Sequence, residues 1–144
     1  MSLNATYDAD NIFAKIIRGE APSTKIYEDD DILAFMDVFP ETNGHTLVIH
    51  KRATAINLLD IDQSALQILT GAVQRIAAAV NTALNPAGLR IMQFNGAPAG
   101  QTVFHLHFHI IPVFEGSKPG RHHSGGPVSA DLLEPVAAKI RASL

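Results

Sequence analysis

Between Phe104 and Ile110 the chain alternates residue by residue: Phe104, Leu106, Phe108 and Ile110 are apolar, and His105, His107 and His109 stand between them. A period of two fits a half-buried strand, because successive strand side chains point to opposite faces. The apolar set reads as an ordinary core face. The other face carries three imidazoles, spaced by roughly 7 Å. Whatever else this chain builds, it needs a sheet with one side in the core and the other side given to polar chemistry.

The remaining segments supply that sheet. Asp10 is a good N-cap for a short helix, residues 11–18, which ends at Gly19 and Pro22. Strands are predicted over 25–27 and 32–36 with a hairpin turn at 28–31, and a third over 45–50 after a loop at 39–44. Residues 62–84 form the strongest helix: Leu66, Leu69, Val73, Ile76, Val80 and Leu84 recur at steps of three and four, Asp62 caps the start and Asn85-Pro86 stops it. Ala72, Ala77, Ala78, Ala79 and Ala83 fall on its other side, which fits either plain helix propensity or a close approach by a partner subunit. A fourth strand, 89–94, leads into a Gly-rich loop at 95–101, and a fifth covers 102–112. Residues 113–128 read as a mobile loop. A tail helix follows from Asp131, with Asp131 and Glu134 as a capping box and Pro135 in the first turn. The order predicts one α+β domain spanning residues 1–144, loose over 1–9. Its five-stranded, mainly antiparallel sheet goes with one long helix, a short N-terminal helix and a C-terminal helix.

Composition narrows the chemistry. Hydrophobic residues are 47% of the 144 and charged residues 17%, enough apolar material for a core. The net charge of −3 comes without a basic stripe, which argues against a nucleic-acid backbone as partner. The chain has no cysteine, so disulfides and thiolate-bound zinc are excluded and a reducing compartment is favoured. With no apolar run of about 18 residues and no signal-like start, the expectation is a cytoplasmic protein without membrane contact.

Three readings fit a row of histidines on one face. A structural row is a poor device, since each buried ring needs hydrogen-bond partners. A metal site is a second reading, because imidazoles at i and i+2 can share a zinc. Nucleophilic catalysis is the third: a neutral imidazole nitrogen can attack phosphorus, while flanking rings hold the tautomer or deliver a proton. Just upstream, Asn95-Gly96-Ala97-Pro98-Ala99-Gly100-Gln101-Thr102 offers neutral donors and backbone N–H groups that a phosphate can approach closely.

These residues resemble the histidine triad (HIT) family, whose signature alternates three histidines with apolar residues and ends on two apolar positions, here His105 to Ile111. Gly100 to Val103 also fits. Ile12 to Ile17, Tyr27 to Asp29, Ala34 to Asp37 and Gly44 to Ile49 resemble its Hint branch. The resemblance implies that His107 is the nucleophile, that His105 and His109 flank the phosphate, and that His45 completes a tetrad. It implies that Asn95, Gly100, Gln101 and Thr102 serve the phosphate or leaving group. Asp37 would accept from the ribose hydroxyls, and Phe13, Phe35 and Val38 would line the base pocket. Plain core would equally explain the last three, a turn would explain Asp37, and a surface strand end His45. His50, His122 and His123 are expected to be solvated.

Two departures from the family matter. A Cys-x-x-Cys that joins a zinc site in many members is here Asn11 and Ala14, so no metal or cofactor is expected. The third triad position is His109 and not the Gln of the uridylyltransferase branch, which favours hydrolysis over transfer. The resemblance thus implies a homodimeric purine nucleotide hydrolase, with the long helix and fourth strand at the interface. Its substrate would be an adenosine phosphoramidate or, alternatively, a dinucleoside polyphosphate. A nucleotide-binding scaffold with residual activity is the rival from outside enzymology.

Overall fold

The computed structural model describes residues 3–117 and 126–144. Helix α1 (Ile12–Ile17) starts one residue later than predicted. Asn11 is its N-cap, accepting from the Ala14 N–H at 2.9 Å, whereas Asp10 sits in the preceding turn and donates its N–H to Asp8. This start turns Phe13, Ala14 and Ile16 inward. Strands β1 (Lys25–Glu28) and β2 (Ile32–Met36) form the expected hairpin, and Asp29 Oδ1 accepts from the Asp31 and Ile32 N–H groups in its turn. Strand β3 (Thr46–His50) leads to α2 (Gln63–Leu84). Asp62 caps α2 as predicted, and Asn85 ends it in the left-handed region, φ 47°. Strands β4 (Gly88–Met92) and β5 (His107–Val113) and helix α3 (Ala130–Arg141) complete the order.

All neighbouring strands run antiparallel, in the order β1-β2-β3-β5-β4. Pleating then divides the side chains. Ile32, Ala34, Met36, Val48 and Ile110 meet α2 and α3 in the larger core, with Leu69, Ala72, Ile76 and Val80 of α2 above them. On the opposite face Leu33, Phe35, Leu47 and Ile49 pack with Phe13 and Ile16 of α1. No helix among the described residues is long and apolar enough to cross a membrane.

Several expectations are corrected. The fifth strand begins at His107 and not at Thr102: its ladder to β3 ends at Ile49 opposite His107, and its ladder to β4 at Met92 opposite His109. Ahead of that point the backbone turns away to pair Leu106 N with Ala55 O, so His105 lies off the strand. Within residues 3–9 the Leu3 carbonyl accepts from Asn57 and Tyr7 bonds to His105. The alanines of α2 do not share one outer side, because Ala72 and Ala79 are core while Ala78 is exposed.

In α3 the N-cap is Ser129, without a side-chain bond, and Glu134 pairs with Arg141 instead of closing a capping box. Pro135 lies inside that helix on its exposed side, where water can serve the carbonyl it leaves unpaired. Val113 belongs to β5, and Val128 N–H donates to the Val38 carbonyl, so both ends of the predicted 113–128 loop are structured. Its centre, residues 118–125 with His122 and His123, is outside the described residues.

Candidate active site

Six residues of α1 are too few to cover a sheet face, and an apolar cleft of about 320 Å³ remains beside them. Phe13 and Ile16 from α1, Phe35 and Leu47 from the sheet, and Val103 make its apolar walls. Val38, 39% exposed, is at the rim. Asp37, Thr102, His107 and His109 supply its polar lining. The rings of Phe13 and Phe35 meet edge to face at 5.3 Å, and Phe13 meets His107 the same way at 4.9 Å. The cleft thus presents an apolar slot that ends on imidazoles.

Hydrogen bonds assign the protons on these rings. His107 Nδ1 lies 2.7 Å from the His105 carbonyl oxygen, which can only accept, so Nδ1 carries the proton and the lone pair sits on Nε2. His45 Nδ1 accepts the Glu41 N–H at 3.0 Å, which puts its proton on Nε2. That N–H points to His109 Nδ1 at 2.9 Å, with Asp37 Oδ2 at 3.4 Å. His109 Nδ1 is then an acceptor, and its proton belongs on Nε2. His107 and His109 share one face of β5, and their rings lean together to 4.9 Å. His45 is fully buried, so it is no surface strand end. Asp37 serves a turn as well, its Oδ1 accepting from Phe39 N–H at 2.8 Å.

Asp37, His45 and His109 offer ligand atoms within 4.8 Å of one another, a spacing a cation could use. Nε2 of His45, however, carries a proton that the Glu41 N–H keeps there. A metal would have to displace that arrangement, so the donor set is a poor fit for a resident ion.

His105 departs from its expected place beside a phosphate. Its ring is buried away from the cleft, with Nε2 donating to the His50 carbonyl at 3.0 Å and Nδ1 bonded to the Tyr7 hydroxyl at 2.6 Å. Burial pushes the imidazole down to about 4 from the usual 6.5. What His105 brings toward the cleft is its backbone carbonyl, the acceptor for His107. His50 is also buried and not solvated: its Nδ1 accepts the Arg52 and Ala53 N–H groups, and burial lowers its pKa.

The upstream loop divides by role. Thr102 lines the cleft. Gln101 is buried and tied to the loop itself, its Oε1 taking the Gly96 N–H and its Nε2 donating to the Ile56 and Val103 carbonyls. Asn95 accepts from Leu58 N and exchanges bonds with Gln93, outside the cleft lining. Gly100 holds φ 112° after the 3₁₀ turn Ala97–Ala99, and a Cβ there would press the Phe94 ring at 3.4 Å. Phe94 in turn contacts the His109 ring at 5.4 Å. Asn95, Gly100 and Gln101 are not among the residues that line the cleft. Tyr7 was not among the sequence candidates, since a lone tyrosine in a polar start carries no pattern.

A model described as the HIT domain matches residues 18–116. "Protein hit" of Bacillus subtilis is 46% identical over 103 residues, 72% of this chain and 70% of that one. A crystal structure of a Hit-like protein involved in cell-cycle regulation from Bartonella henselae superposes with a TM-score of 0.89 at 50% identity, covering 96% of this chain and all of that one. A hypothetical histidine triad nucleotide-binding protein from Sulfolobus tokodaii gives a TM-score of 0.81 at 36% identity, over 91% and 89% of the two chains.

Proposed function

This chain belongs to the histidine triad family, and from that premise we propose that it is a nucleoside phosphoramidate hydrolase working through a nucleotidyl-histidine. The observation that carries this reading is the pair of opposite tautomers at the end of the cleft: His107 with its lone pair on Nε2, and His109 with its proton there. One ring is prepared to attack and the neighbouring ring to donate.

In the first step His107 Nε2 attacks the α-phosphorus and the P–N bond to the amine breaks. The departing nitrogen takes its proton from water, steered by a hydrogen bond from the His109 Nε2–H, whose ring the His45 N–H steadies at Nδ1. In the second step the hydroxide left by that water attacks phosphorus and the P–N bond to His107 breaks, which returns His107 to its neutral, Nδ1-protonated form. Asp37, in the cleft lining, takes the ribose hydroxyls, and the apolar cleft walled by Phe13 and Phe35 takes a purine. Thr102 contacts the phosphate. Positioning and preset donors account for the rate, so no metal is needed.

An alkaline denaturing quench during turnover of an adenosine phosphoramidate should trap a nucleotidyl adduct on the protein, because a histidine P–N bond survives base and not acid. His107→Ala should lose both adduct and turnover, the latter by on the order of 10³-fold or more. A variant that still turned over at half the native rate, or a native protein that binds nucleotide without any adduct, would refute the nucleophile. We also read the chain as a homodimer, because β4 is an edge strand with Ile91 47% exposed, open to a second copy. Light scattering at micromolar concentration should give twice the monomer mass, and a monomer would end that reading.

A further inference from the structure

We propose that Tyr7 is a positioning residue for the nucleophile: its hydroxyl, acting through His105, holds His107 in the attacking tautomer. The inference rests on the reading of His107 given above. The His50 carbonyl can only accept, so His105 Nε2 carries a proton and donates to it. A neutral His105 then offers Nδ1 as an acceptor, and the Tyr7 O–H donates there at 2.6 Å. The two rings meet edge to face at 5.7 Å. Both nitrogens are therefore occupied, and the ring cannot turn or exchange tautomers without breaking a bond.

This matters because the backbone at 105 is outside the β-ladder. The last rung on that side is Ile49 opposite His107. The carbonyl of residue 105 is located by the Leu106 N–H bond to Ala55 on one side and by its own clamped ring on the other. That carbonyl accepts the His107 Nδ1 proton at 2.7 Å, and so decides which nitrogen of His107 carries the lone pair. Burial keeps His105 neutral near neutral pH, the form to which the tyrosine can donate. The segment bearing Tyr7 is itself moored, since Asn57 Nδ2 donates to the Leu3 carbonyl at 3.2 Å.

Tyr7→Phe keeps the ring and removes the donor. It leaves a buried nitrogen without a partner, and kcat should fall by on the order of tenfold with KM held within about twofold. Long-range proton–nitrogen NMR of the unliganded protein should show His107 losing its purely Nδ1-protonated signature. Tyr7→Ala separates packing from the hydroxyl. If only the ring mattered, Phe would match the native protein and Ala alone would fail, and the inference would be overturned. Native tautomer signals in Tyr7→Phe would overturn it equally, whatever its turnover. Turnover surviving in His107→Ala would fail the nucleophile reading itself, a result the substrate-free NMR signal does not depend on.

Discussion

One face of the sheet is roofed by α2 and α3, and its side chains, Ile32, Ala34, Val48 and Ile110, are fully buried. On the other face the covering helix is the six-residue α1, and beside it lies the cleft with His107 and His109. Both faces come from the same strands and the same pleat. The difference lies in the length of the helix each receives. A 22-residue helix with a long apolar stripe, joined by α3, buries the central strands on its side, while a two-turn helix leaves room for a ligand. Burial on the first face should therefore set stability, and the second should set chemistry.

The largest stability effect should come from the roofed face. Ile76→Ala removes an α2 side chain 1% exposed against the sheet core and should cost about 2–5 kcal/mol in urea unfolding. Its kcat/KM per folded molecule should stay at the native value, and a parallel loss of activity would break the division.

His105 lies where the two regions join, and acid probes it. Its folded pKa, about 4, is below the ordinary 6.5, so the unfolded chain binds more protons between those values. Its contribution is complete above about pH 6.5 and is lost as pH falls toward about 4, on the order of 3 kcal/mol. Melts that kept the same midpoint from pH 7 to pH 4 would contradict its burial as a neutral ring.

The smallest effect sharpens the open side. Ile12 lines the cleft and is 47% exposed, so Ile12→Ala should shift stability by no more than about 0.5 kcal/mol. It should still raise KM about threefold through lost apolar contact with the base. A native KM would take Ile12 out of the binding surface.

Much of this was legible along the chain. Helix α2 announced itself by spacing and by Asp62 and Asn85, and the β1–β2 hairpin by its Asp-rich turn, because caps, turns and periodicity are local. The pairing of His107 with His109 on one face followed from alternation alone. The loop residues were harder. Asn95, Gly100 and Gln101 have the composition of a phosphate cradle, and only the fold shows that Asn95 bonds Leu58 and Gln101 bonds Ile56, outside the cleft lining.

By itself the sequence determined which residues alternate, where the long helix begins and ends, and that His107 and His109 share one face of a strand. The tertiary structure decided their protonation and their division of labour. His105 pairs with Tyr7 across 98 positions and His45 with His109 across 64. A proton's place on a ring is set by whichever donor or acceptor the fold brings within about 3 Å, and no local pattern encodes that neighbour.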